Sequence, residues 1–434
     1  MKNINYKIEI KLLSPLGIGS GKGCNTDSDV IVDRKGQPYI PASAITGVLR
    51  NYAHSVNEEI ELAVFGSIEE NIKTLIRVYD ARPDKETDEF FIAVRHRVAL
   101  ENKVAKKGAK FDLEVVEPDD ISAFTSFIQL SESAFGPEKH CLTESGNPEK
   151  KRPDFDDCVY MVEQSLSALS SGLISLGSNT SRGYGRVQLT VYKKSFDSVE
   201  DFLDFDIYES NNWTEVEEYA LSPVQKRNIK LTVNLQLVSA ISIREYSTKP
   251  KSPDYSMMSL HKINEVPVIP GTSWAGAFRS RFTEFVGEEE AKEVFGFVDQ
   301  KNNSSQKAEI SFSESRIFGG TYKDVTRNSL DRFSMATKTG ALYTERTYYG
   351  GETELSITLP ERLSDMAATA IGACLIDLDR GFLAVGGLTA VGRGLFKITG
   401  ISSNDKDGEK LLSAVKNGNT IEFANALKEE RETV

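Results

Sequence analysis

At 434 residues, with 39% hydrophobic and 27% charged side chains, the chain is long enough for two or three domains and has the composition of a soluble globular protein. Its net charge of −12 argues against a free nucleic-acid binder, although a subunit of a larger assembly can keep a local basic face beneath an acidic exterior. No apolar leader core and no long apolar run occur, which predicts a cytoplasmic protein without membrane contact. Four scattered cysteines without a CxxC pair favour neither a disulfide framework nor a zinc site.

Residues 6–12 alternate at period two and predict a first strand. Polar residues 17–29 follow. Within them, Gly17-Ile-Gly-Ser-Gly-Lys22-Gly23 is no Walker A loop, because its first glycine is misplaced and Gly23 stands where Ser or Thr is required. Pro38-Tyr-Ile-Pro41 then opens a helix, with Ser43 or Ala44 at the N-cap, and the apolar period runs to about residue 56. Val64-Phe65-Gly66 stops this segment, and residues 75–80 read as a second strand.

A hairpin excursion spans about 88–118. Within sixteen residues it carries Arg95, Arg97, Lys103, Lys106, Lys107 and Lys110, opposed only by Glu101. That cluster reads either as solvated hairpin charge or as a phosphate-contacting surface. A strand, a surface insertion at about 137–157, a helix at about 160–171, a glycine-rich loop and a last strand from Arg186 close the half. Cys141 and Cys158, with His140 nearby, lack an obvious fourth ligand, and their joining a metal site is left open.

An acidic, aromatic stretch at 196–226 reads as a linker, after which the series repeats. Residues 229–237 form a strand, and a loop covers 244–259. Pro267-Val-Ile-Pro-Gly-Thr-Ser-Trp-Ala-Gly276-Ala-Phe-Arg279 then matches Pro38 through Gly47 and Arg50 under P-x-I-P-x-[ST]-x-x-x-G-x-Φ-R, where Φ is apolar. The helix is expected from Thr272 or Ser273 to about 286. Val294-Phe295-Gly296, a strand at 309–313, a hairpin at about 320–350 carrying Arg332, and a helix at 363–379 follow. Gly172, Gly177, Gly183 and Gly185 recur 209 residues later as Gly381, Gly386, Gly392 and Gly394. A repeat of this length means two copies of one domain. The order β-α-β-β-α-β predicts an α+β chain of two tandem ferredoxin-like (RRM-like) domains, 1–195 and 227–402. Each has a hairpin thumb and a glycine loop, and 403–434 form a C-terminal helical tail.

These motifs, in this order and duplicated, resemble the RAMP superfamily, over roughly 5–195 and 228–402. The resemblance is to the backbone subunit of type III CRISPR effector complexes, in tandem as in the type III-D double-backbone subunits. It implies a subunit that coats CRISPR RNA, with a thumb from each domain interrupting the guide–target duplex. It implies as partners the CRISPR RNA, complementary target RNA, other RAMP-type subunits and a large signalling subunit. Base pairing, not the protein, would read sequence.

The resemblance also implies an aspartate before the P-x-I-P turn that supports Mg²⁺- or Mn²⁺-dependent cleavage of target RNA. The family pattern Asp-[SN]-Pro-Val-Ile-Arg-Asp meets Asp27-Ser-Asp29-Val-Ile-Val32-Asp33, so Asp27 matches as catalytic residue and metal ligand, while Asp29 and Val32 depart from it. Read without the family, Asp27 is equally an acid that caps a turn. Asp254, 13 residues before Pro267 where Asp27 is 11 before Pro38, is the candidate in the second half; the alternative is a degenerate, non-cleaving half.

Arg182, Arg186 and Arg393 lie in or beside the glycine loops and can reach phosphate. Arg50 and Arg279 are further RNA candidates or pair with acids. Gly177, Gly183, Gly185, Gly386, Gly392 and Gly394 would admit RNA backbone, or pack strand against helix. None of the four histidines is paired with a nucleophile, which counts against the guide-processing RAMP nucleases; His96 and His261 read as structural. A non-catalytic RNA-binding scaffold and a protein-interaction module remain as alternatives.

Overall fold

The computed structural model describes residues 2–21, 23, 26–69, 72–84, 90–101, 104–119, 121–132, 153–224, 228–246, 253–260, 265–299, 304–360, 362–404 and 406–432. Lys103, His140, Cys141, His261 and most of the insertion at 137–157 lie outside the described residues. The chain is mixed α/β and splits into two compact units, Met1–Thr180 with Gly185–Gln225, and Ser181–Tyr184 with Lys226–Val434.

The first unit contains β1 (Asn3–Leu12), α1 (Ala42–Val56), α2 (Glu58–Phe65), β2 (Ile76–Val78), β3 (Arg82–Pro83), β4 (Ile92–Glu101), β5 (Val104–Val116), β6 (Ala123–Ser131), α3 (Phe155–Ser170), β7 (Val187–Phe196) and α4 (Val199–Asp204). Its sheet runs β2-β6-β1-β7, with β3 beside β6, while β4 and β5 form a separate hairpin. The period-two pattern of β1 puts Tyr6, Ile8, Ile10 and Leu12 on the buried face. They share one core with Ile45 and Leu49 of α1 and Val162, Leu166 and Leu169 of α3.

The second unit contains β8 (Ile229–Leu237), β9 (Ala240–Ile241), β10 (Arg244–Tyr246), β11 (Tyr255–Met257), β12 (Ser259–Leu260), β13 (Val266–Ile269), α5 (Gly271–Val286), α6 (Glu288–Phe295), β14 (Phe297–Asp299), β15 (Ser304–Gln306), β16 (Ser311–Phe312), β17 (Ser315–Phe318), β18 (Thr321–Leu330), β19 (Thr337–Tyr349), β20 (Glu352–Leu359), α7 (Asp365–Arg380), β21 (Phe396–Ser403), β22 (Lys406–Asp407), α8 (Glu409–Asn417) and α9 (Thr420–Glu432). Its main sheet repeats the central order as β17-β20-β8-β21, extended at its edges by β12, β13 and β22. A second sheet, β10-β11-β19-β18, joins the long hairpin to the loop before the repeated turn.

Two of the sequence expectations differ from the fold. The first helix of each unit begins one to three residues earlier than expected, capped by Pro41 and Pro270 in extended geometry rather than by a hydroxyl. Pro holds the backbone angle a cap needs, and the Asp80 carboxylate accepts the Ala42 N–H at 2.8 Å from 38 residues away. The stretch read as a linker is folded. Trp213 is buried, donates from Nε1 to the Ile207 carbonyl, and meets Phe205 and Phe127 ring to ring. Tyr219, farther along, joins Tyr6 and Lys193 around the Glu163 carboxylate. Burial and the Glu163 charge push both phenols up from the ordinary tyrosine range. Irregular segments packed by aromatics carry no period, which is why this one read as a connection.

Cys158, whose part in a metal site the sequence leaves open, is a buried core thiol. The C-terminal tail is two helices. Gly372 of α7 leaves room for the Phe423 ring of α9, since a Cβ there would lie 2.7 Å from that ring.

Candidate functional site

The loops carrying Asp27 and Asp254 share little sequence, yet the fold treats the two residues alike. Asp27 donates its N–H to the Asp112 carbonyl at 3.0 Å and accepts the Asp112 N–H on Oδ2 at 2.9 Å. Asp254 donates its N–H to the Thr344 carbonyl at 2.9 Å and accepts the Thr344 N–H on Oδ2 at 2.7 Å. In both units the chain then runs parallel to the returning hairpin strand, Ser28 beside Leu113 and Tyr255 beside Glu345. Both aspartates are exposed, and Oδ1 of each has no partner among the described residues. One oxygen of each carboxylate is thus held by a charge-assisted bond from the hairpin backbone, on a residue exposed to solvent.

Asp29 has a different job. Its carboxylate accepts the Thr26 N–H at 3.0 Å and the Thr26 hydroxyl at 2.7 Å, closing the turn that presents Asp27.

Across each hairpin, the residue facing that anchor point differs. His96 pairs with Asp112, Nδ1 to Oδ1 at 2.7 Å, and Thr326 pairs with Thr344, hydroxyl to hydroxyl at 2.9 Å. Neither pair was singled out from the sequence, because cross-strand register cannot be read from residues sixteen or more positions apart.

The predicted cations separate into groups. Arg95 is buried against the equally buried Glu117 at 3.1 Å, and Arg393 is buried against Glu345 at 2.7 Å. Both sit in the interior as counter-ions to buried carboxylates, where the sequence predicts exposed phosphate contacts. Glu345 also accepts from the Ser242 hydroxyl and from Arg244 at 3.4 Å. Burial alone would raise its carboxyl, but the hydrogen bonds from Ser242 and Arg393 and the charges of Arg393 and Arg244 hold it below the usual glutamate range.

Arg50 and Arg279, the arginines that end the repeated motif, do one thing twice. Each donates to the carbonyl of the glycine in the Phe-Gly stop, Gly66 at 3.2 Å and Gly296 at 3.1 Å. Each also pairs with an acid, Glu61 and Glu288 respectively. Arg182 and Arg332 are exposed, and Arg186 is half-buried with its N–H on the Ser14 hydroxyl. Arg97, Lys106, Lys107 and Lys110 are placed by strand position only, Arg97 opposite Phe111 and Lys110 opposite Val98.

All six loop glycines have positive φ, from 71° to 97°. At Gly185 and Gly394 the reason is closest to hand. A Cβ would lie 1.7 Å from the Leu176 carbonyl oxygen or 1.8 Å from that of Val385, carbonyls that end the preceding apolar turn. The same two glycines accept the N–H of Leu176 and Val385 on their own carbonyls, at 2.9 and 3.0 Å. Close backbone packing therefore accounts for them.

The family model of the RAMP superfamily matches residues 9–188 and 257–397. The chain belongs to the RAMP superfamily. No curated protein matches it. Among solved structures, a chain of the "Cryo-EM structure of the Type III-B Cmr-beta bound to cognate target RNA" is 16% identical, with a TM-score of 0.32. The match covers 41% of this RAMP protein and 61% of that chain. The two matched regions take in one aspartate loop, in the first, and the glycine loops of both units. Asp254 falls just before the second region begins. No described helix of this RAMP protein is long and apolar enough to cross a membrane.

Proposed function

We propose that this RAMP chain is a tandem backbone subunit of a type III CRISPR ribonucleoprotein. In this reading each unit is a ferredoxin-like domain whose hairpin (β4–β5 or β18–β19) serves as a thumb. The chain binds CRISPR RNA in the cytoplasm, beside other RAMP-type subunits and a large signalling subunit, and cleaves complementary RNA at Asp27. The observation that carries the reading is the identical anchoring of Asp27 and Asp254 at the returning strand of each hairpin. An acid there stands where a hairpin would part a duplex.

A Mg²⁺ or Mn²⁺ ion held by the Asp27 carboxylate together with RNA phosphate oxygens would neutralise charge at the scissile phosphate. The donor set suits such an ion, since a single exposed carboxylate is what Mg²⁺ uses when it keeps most of its waters. Among the described residues no group of three or more acids, histidines or cysteines forms a dedicated cage. The chain's own contribution is placement. The Asp112 amide fixes the Asp27 carboxylate, and the Asp29 turn fixes its loop. The exposed Arg182 and Arg332 add phosphate affinity that is blind to sequence. In-line attack of a 2′-hydroxyl needs the RNA backbone splayed out of A-form, which is the work assigned to the thumb.

The test is cleavage of end-labelled complementary RNA by the assembled complex, with Mg²⁺ or with EDTA. Asp27→Ala should remove one product band while assembly and RNA binding persist, and Asp254→Ala should remove a different one if the second unit also cleaves. An unchanged ladder in Asp27→Ala would make the chain a scaffold and place the nuclease elsewhere.

A further inference from the structure

We propose that His96, held by Asp112, accepts the proton from the attacking 2′-hydroxyl at the first unit's site. The proposal rests on the reading of Asp27 as a cleavage site and adds a residue that reading does not contain. Three observations carry it.

The first is connectivity. Asp112 is the residue whose amide orients the Asp27 carboxylate, and its own carboxylate holds His96 Nδ1 at 2.7 Å. Both side chains therefore hang on one residue of β5. The second is chemistry. An ionised carboxylate only accepts, so the Asp112 contact keeps the proton on Nδ1 and leaves Nε2 as the basic nitrogen. The ring is half-buried, with 31% of its side chain exposed, enough for contact with a bound strand. The third is the internal control. At the matching cross-strand position of the second unit stand Thr326 and Thr344, which make a hydroxyl pair and cannot take a proton near neutral pH. A pair serving only to brace the hairpin would do as well with threonines, as the second unit shows.

In the step assigned to His96, the O2′–H bond breaks and its proton passes to Nε2. The O2′–P bond forms, the P–O5′ bond breaks, and O5′ leaves with its electron pair and takes a proton from water. The products are a 2′,3′-cyclic phosphate and a 5′-hydroxyl, and the imidazolium returns its proton to solvent. Asp112 is a positioning residue in this scheme. The second unit's Asp254, lacking the dyad, would cleave more slowly or only hold RNA.

The test uses the assembled complex with a complementary RNA cut at the first-unit site. His96→Gln should slow that cut by about 100-fold or more, the low end of what a positioned proton acceptor contributes. RNA affinity should be unchanged, and added imidazole should restore part of the rate to His96→Gly. On the wild-type complex in EDTA, carbethoxylation of His96 read by mass spectrometry should fall when target RNA is bound. If Asp27→Ala abolishes the cut while His96→Gln cuts at the wild-type rate, the dyad proposal fails and the Asp27 site stands. If Asp27→Ala still cuts, both fail. Undiminished labelling of His96 under bound RNA overturns the proposal even where the variants do not assemble.

Discussion

Thr26-Asp27-Ser28-Asp29 and Pro253-Asp254-Tyr255-Ser256 share only the aspartate at their second position, yet each aspartate is tied to its hairpin by the same two backbone bonds. What differs is the layer beneath. The first unit has Leu113 next to the anchor and a His–Asp pair across the strands; the second has the buried Glu345 with Arg393, and a Thr–Thr pair. A parallel pairing needs only amides and carbonyls, so it survives nearly complete replacement of side chains. The chemistry around it does not, and the two sites are free to diverge while their geometry stays fixed.

The largest effect that would break this comparison lies at Glu345. Glu345→Ala leaves Arg393 buried without its partner and should cost about 3–5 kcal/mol in denaturant unfolding. The paired change Glu345→Leu with Arg393→Met, which gives the second unit an apolar pair, should recover most of it. Because the folded carboxyl lies below its unfolded value, its stabilisation is present above the ordinary glutamate range and is lost as pH falls through the lower folded value. Thermal midpoints measured on acidification should therefore drop more steeply for wild type than for the paired variant.

Next come Gly185 and Gly394, the loop glycines whose surroundings match in both units. Gly394→Ala and Gly185→Ala combine positive φ with a Cβ driven onto a carbonyl oxygen and should each cost about 3 kcal/mol or more. Gly392→Ala meets no atom within 4 Å and should cost only the backbone strain, about 1–2 kcal/mol. Equal losses at Gly392 and Gly394 would show that φ alone sets the requirement.

The smallest effects sort the arginines. Arg279→Ala removes a bond to the carbonyl of a helix-ending glycine and should lower stability by about 0.5–1.5 kcal/mol; Arg50→Ala removes the same bond and also the arginine partner of the buried Glu61, and should cost about 2–3 kcal/mol, with the salt dependence of RNA binding unchanged in both. Arg332→Ala, at an exposed hairpin tip, should leave stability within about 0.5 kcal/mol. It should instead reduce the slope of log affinity against log salt by about 1. The reverse pattern would exchange their roles.

Much of the fold is legible in the residues. Duplication of the P-x-I-P motif and of four glycines in register marks two copies, and period-two alternation marks β1 and β8. Asp27 stands out as a candidate only through the pattern it shares with the family it resembles. Asp254 was placed at a spacing of 13 rather than 11, and only the second sheet shows why the spacing can vary: β11 is anchored to β19, not to the turn that follows it. Arg95 is buried where the sequence predicts exposure, because a cation-rich stretch gives no sign of which side chains a hairpin turns inward. The side chain that faces Glu117 is set by packing.

The sequence by itself determined what is local or repeated: strand alternation, glycines where φ must be positive, the two-copy plan and an aspartate in a polar loop. Tertiary structure decided what depends on register between distant segments. That includes Asp80 capping a helix 38 residues back, the interior pairing of Arg95 and Arg393, and the meeting of Asp27, Asp112 and His96. The physical reason is that a hydrogen bond across strands is set by how whole elements pack, and no single segment encodes its partner's position.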